Sequence, residues 1–115
     1  MGGGADSIAE MSAPSSVYEN IVINHNDWTV NNYTAPANGF IIYTQKTTNS
    51  GGNISINLSK VDVNFANCTK LSGERVSAYL AVRKGDSCSI RSVYGTVESC
   101  TFIYSIGSAK KLGLI

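Results

Sequence analysis

Short runs of alternating apolar and polar residues, each closed off by turn-forming residues, constrain this chain more than any other feature. In Asn53–Leu58 the residues Ile54, Ile56 and Leu58 recur with period two. That spacing puts them on one face of a strand. Val61–Phe65 alternates in the same way, and Val76, Ala78, Leu80 and Val82 are in step along Glu74–Val82. Val17–Ile23, Trp28–Val30, Phe40–Gln45, Ser87–Tyr94 and Ser99–Ile106 are rich in β-branched and aromatic residues and are also expected to be strands. The segments between them carry turn chemistry. Asn31–Gly39 contains Pro36 and Asn38-Gly39, where the glycine step is expected to supply positive φ. Thr47–Gly52 is a loop, Lys84-Gly85-Asp86 a tight turn, and Gly95 the end of a strand. No helical segment of useful length is expected. The fold class that follows is all-β, an antiparallel β-sandwich or barrel.

At 115 residues the chain is the size of one domain. Charged residues make up only 15%, and Asn, Ser and Thr supply the remaining polarity. These side chains compete with helices for backbone hydrogen bonds, which strengthens the all-β reading. Residues 1–16 are Gly-, Ser- and Ala-rich and are expected to form a flexible arm, with the sandwich over 17–115. The segment Met1–Asp6 has no basic and no apolar region of the kind that opens a secretory signal. A net charge of +1 with scattered Lys and Arg gives no basic stripe, so no nucleic-acid partner is expected. No apolar run is long enough to imply membrane insertion.

Catalytic chemistry finds little support. His25 is the one histidine; it lies two residues from Asp27, but in an Asn-rich turn and without a nucleophile elbow. Metal-dependent jelly-roll enzymes need several imidazoles, and the chain has one. The three cysteines, Cys68, Cys88 and Cys100, have no metal-site spacing and are expected to be reduced and mostly buried. The Asp and Glu residues are dispersed, and Gly51-Gly52 is not followed by the Lys-Ser or Lys-Thr of a phosphate loop. The sequons at Asn32, Asn53, Asn57 and Asn67 are what chance gives in so Asn-rich a chain. The expectation is therefore a non-enzymatic protein without metal or cofactor.

Two groups of residues are candidates for contact. Trp28, Asn31, Asn32 and Tyr33 combine aromatic rings with amides, which suits sugars: a ring covers C–H groups while amides bind hydroxyls. The tail residues Leu112, Leu114 and Ile115 are aliphatic enough to dock on their own domain or on another subunit.

Several segments, in order, resemble the C-terminal domains of bacteriophage tail fibres. Tyr33-Thr34-Ala35-Pro36-Ala37-Asn38-Gly39-Phe40 resembles their Tyr-Thr-Ala-Pro segment. Leu80–Cys88, with Lys84-Gly85-Asp86 entering a strand, is similar to their next motif, and Cys100–Gly107 to their closing one. Met11–Ile21 is similar to their opening segment. The Lys-Gly-Asp step is also similar to tumour-necrosis-factor-like jelly rolls, which trimerise. Phe40 stands where the family often has Trp, and Cys88 where it often has Val. The resemblance implies a jelly-roll-like sandwich, a homotrimer, and a place in the virion at the distal end of a phage tail, made in the host cytoplasm. It also implies a host cell-surface glycan or protein receptor and other phage tail proteins as partners. Two alternatives remain open: a purely structural trimerisation, decoration or baseplate part of the particle, and a bacterial jelly-roll lectin or adhesin.

Overall fold

In the computed structural model, residues 12–24, 29–48, 52–58, 63–68 and 72–115 are described, the 63–68 segment by its backbone alone. His25 and Trp28 lie outside them. Among the described residues, eight strands and one helix follow in order: β1 Pro14–Asn20, β2 Val30–Thr34, β3 Gly39–Thr47, β4 Asn53–Leu58, β5 Val63–Cys68, β6 Arg75–Val82, β7 Ser87–Val93, β8 Gly95–Ser105 and α1 Ile106–Lys111.

The strands form two four-stranded sheets, β1-β8-β3-β6 and β2-β7-β4-β5, called here the first and second sheets. Every pairing is antiparallel. The first strand pairs with the last, β2 with β7, β3 with β6, and β4 with β5. The chain thus behaves as one long hairpin, β1–β4 outward and β5–β8 returning. Rolling that hairpin up adds the β3–β8 and β4–β7 pairings. This is the jelly-roll order, and the all-β sandwich expected from the alternation is what forms.

The core lies between the sheets. The four inward residues of β6 are the predicted Val76, Ala78, Leu80 and Val82, all buried. They meet Ile41 and Tyr43 of β3, Phe102 of β8, Ile54 and Ile56 of β4, and Cys88 and Ile90 of β7. Several of these are completely sealed from solvent. Cys88 and Cys100 are free, buried thiols, as expected.

Other elements depart from expectation. Pro14–Ser16, assigned above to the arm, belong to β1. Proline is tolerated at the start of this edge strand because no ladder partner needs its missing N–H. The ladder is irregular between Pro14 and Tyr18, where Ser15 Oγ donates to Tyr104 O at 2.7 Å and accepts from Val17 N at 3.0 Å. Asn31–Thr34, expected to be turn, are strand because β7 pairs with them residue for residue. Tertiary pairing here overrides the low strand propensity of Asn. Neither Asn38 nor Gly39 has positive φ. Asn38 instead holds the corner by accepting from Lys84 N on its side chain (2.9 Å) and from Ser105 N on its carbonyl (3.0 Å). Gly39 is required by close packing: a Cβ there would sit 2.2 Å from Ile103 O and 2.6 Å from the Phe102 ring.

Lys84-Gly85-Asp86 does form the expected turn, with Gly85 at φ +86 and Asp86 N donating to Arg83 O at 3.0 Å. Gly95 does not end a strand; it opens β8, and Tyr94 takes the left-handed conformation at φ 54. The last strand stops at Ser105, one residue before its expected end, and a helix forms where only a tail was expected. Ser105 Oγ caps its start, accepting from Ser108 N at 3.1 Å. Its end is a Schellman motif: Gly113 N donates to Lys110 O, Leu114 N donates to Ala109 O at 2.8 Å, and Gly113 takes φ +73. Ile106 N also donates to Ala13 O at 2.8 Å, which ties α1 to the chain entering β1.

Candidate functional site

The predicted sugar platform is divided by the strand that carries it. On β2, Asn31 and Tyr33 turn inward, while Asn32 turns outward. The Asn31 amide is committed to the fold. Its Nδ2 donates to Asn24 O at 2.9 Å and Ile90 O at 3.2 Å, and its Oδ1 accepts from Asn24 N at 2.8 Å. The Tyr33 ring packs toward Phe102, with centroids 6.1 Å apart. Its hydroxyl donates to Glu19 Oε1 at 2.8 Å, and Tyr104 donates to Glu19 Oε2 at 3.2 Å. Glu19 on β1 thus joins the first sheet to Tyr33 of the second at the open side of the sandwich. Burial, aided by Glu19, pushes the Tyr33 phenol above its ordinary range. Of the three described candidates, Asn31, Asn32 and Tyr33, only Asn32 faces solvent on the second sheet, where Ser89 Oγ lies 3.4 Å from its Oδ1; Trp28 is outside the described residues.

The outer faces of the two sheets differ in chemistry. Across the first sheet the register aligns Tyr18, Ile103, Phe40 and Ala81 in one outward row. Asn20, Thr101, Ile42 and Tyr79 form the next. Tyr18 is 63% exposed and Tyr79 51%. Phe40 stacks on Tyr79 with centroids 5.7 Å apart and planes at 17°. Across the second sheet the equivalent rows are Asn32-Ser89-Asn57 and Val30-Arg91-Ser55. The first sheet's outer face thus carries aromatic and aliphatic residues beside Asn20, Thr101 and the Thr44–Ser77 hydroxyl pair, whereas the second's is mostly amide and hydroxyl, with Val30 and Arg91 among them.

A groove of about 540 Å³ opens at one end of the sandwich, where the β2–β3 corner, the β6–β7 turn and α1 meet. Ala37, Phe40, Val82 and Leu112 give it an apolar lining, and Arg83, Lys84 and Lys111 stand at its rim. Among the described residues, no Asp or Glu lines it. Asp86, on the same turn, folds its carboxylate back to accept from Arg83 N at 2.7 Å. The groove was not visible in the sequence, because its cations come from a turn and a helix far apart along the chain. The tail residues Leu112, Leu114 and Ile115 are 54%, 45% and 57% exposed. They follow α1 at this same end and are not sequestered in their own domain.

Among the described residues, no three His, Cys, Asp or Glu side chains converge as metal ligands would. Comparison of the chain with protein-family models, curated proteins and solved structures gives no match.

Proposed function

We propose that this chain is a non-enzymatic module of a bacteriophage particle, a distal tail-fibre domain that self-associates as a homotrimer and contacts the host surface. The contrast between the two outer faces carries this reading. A sheet face exposed to water normally alternates to polar residues, as the second sheet does. Tyr18, Ile103, Ile42 and Tyr79 on the first sheet instead turn apolar side chains outward, with Tyr18 and Tyr79 well exposed, as at an interaction surface. Covering that face with copies of the chain leaves the Asn- and Ser-rich face and the loop ends free for a receptor. Three identical weak sites then gain avidity without new contacts, on the order of 10²–10⁴ in apparent affinity. The ordered resemblance of Tyr33–Phe40, Leu80–Cys88 and Cys100–Gly107 to tail-fibre modules supports the phage assignment.

The test is the solution mass of the purified chain by light scattering, followed by binding of the labelled protein to a panel of bacterial cells. Three times the chain mass of 12.2 kDa is expected, with saturable binding to some strains. A monomer at tens of micromolar counts against the self-trimerising tip. A trimer that binds no cell favours the alternative of a structural part within the particle.

A further inference from the structure

We propose that the groove at the end of the sandwich is the receptor subsite, and that its ligand is a carboxylate-bearing sugar residue. This rests on the receptor-binding reading above and names the ligand class. The size is right: about 540 Å³ falls within the range of small-ligand sites. The lining is divided as an acidic sugar is divided. Phe40, Val82 and Leu112 offer apolar surface to the C–H face of a ring, and Arg83, Lys84 and Lys111 offer three cations to a carboxylate.

Charge complementarity selects an anion over a neutral sugar. No carboxylate of the described residues lines the groove; Asp86, on the same turn, is folded back onto the Arg83 amide and offsets part of the positive charge from outside the lining. The backbone that carries the cations is fixed. Gly85 at φ +86 and the Asp86 contact shape the turn that carries Arg83 and Lys84. Asn38 Oδ1 fixes the Lys84 amide at 2.9 Å. The Schellman motif closes the helix just after Lys111. A fixed backbone under three cationic residues leaves only their side chains to be ordered when a ligand binds. The net charge is only +1, so the chain as a whole carries no strong field for a polyanion.

The test uses the full chain, isotope-labelled, titrated with trigalacturonate and with 3′-sialyllactose. Maltotriose and lactose serve as neutral matches. Binding at about millimolar strength is expected for one or both acidic sugars, with NMR shift changes concentrated at Ala37–Phe40, Arg83–Lys84 and Gly107–Leu112. The variants Arg83→Ser with Lys84→Ser, and Lys111→Ser, lie on the surface and should keep the wild-type circular dichroism. Each should weaken binding by about tenfold or more, and so should raised salt. The proposal is overturned if the neutral sugars bind equally, if the shifts fall elsewhere, or if the variants bind as well as wild type. Binding of the same protein to bacterial cells separates the two readings. Cells bound without any acidic sugar in the groove would end the groove assignment and leave receptor binding intact. Acidic sugars in the groove without cell binding would do the reverse.

Discussion

At the scale of single residues, the inside of the sandwich is less uniform than its apolar pattern suggests. Tyr43 is completely buried, and neither its hydroxyl, Ser92 Oγ nor Gln45 Oε1 makes a hydrogen bond of good geometry, although Ser92 lies close enough to the phenol to interact with it. A buried polar atom without a partner costs free energy, whereas removing it together with its polarity can be neutral or favourable. Tyr43→Phe should therefore match the wild type or exceed it by about 1 kcal/mol in urea unfolding. A loss of that size would mean the hydroxyl is satisfied in solution. The thiols give a pH dependence. Burial pushes Cys88 up to about 11 and Cys100 up to about 12. The unfolded chain releases these protons near the ordinary thiol value while the fold retains them. Their contribution to stability is thus complete below about pH 9 and is lost as pH rises through 11 to 12. The urea midpoint should fall across that window, and Cys88→Ala with Cys100→Ala should make the fall shallower. The partly buried Tyr33 and the buried Tyr43 phenols, also raised by burial, keep some of the slope in the same direction. An unchanged slope in the double variant would show that the thiols do not contribute.

At the scale of elements, the clasp made by Glu19 joins three strands at one edge. Its carboxylate accepts from Tyr33 of β2 and Tyr104 of β8 while itself standing on β1. Glu19→Ala should cost about 1 kcal/mol, and Tyr33→Phe about the same, by chemical denaturation. The double variant should cost less than the sum, because both changes remove one hydrogen bond; strict additivity would mean the two groups act separately. The strands most legible in the sequence were those whose inward residues alternate cleanly, such as β4 with Ile54 and Ile56 and β6 with Val76 through Val82. β2 was hidden because Asn31 and Asn32 have turn-like chemistry, and only the partner strand and Asn24 satisfy them. α1 was hidden because it is six residues long and shows little periodicity. Its signals were in its caps, Ser105 before it and Gly113 after it. The candidate sugar platform suffered for the same reason as β2. Once Asn31–Thr34 is strand, neighbouring residues point to opposite faces, and Asn32 parts from Asn31 and Tyr33.

At the scale of the whole molecule, the two outer faces present a choice that self-association would resolve. The aromatic face of the first sheet gains from being removed from water, while the Asn- and Ser-rich face of the second loses little by staying wet. Tyr79 lies near the edge of the first, stacked on Phe40 and half exposed, so a charge there disturbs the surface more than the core. Burying an unpaired carboxylate in an interface costs roughly several kcal/mol. That is enough to lower association by on the order of 100-fold, since each 1.4 kcal/mol is about tenfold. Tyr79→Glu should thus convert the assembly to monomer by light scattering, with a urea midpoint close to that of the isolated wild-type fold at high dilution. Ser55→Glu, on the opposite face, places the same charge where no partner is proposed and should leave the mass unchanged. If Ser55→Glu alone dissociates the particle, the interface lies on the polar sheet and the apolar face belongs to a different partner. If neither variant changes the mass, association does not use either face, and the exposed Leu112, Leu114 and Ile115 after α1 become the next contact to test.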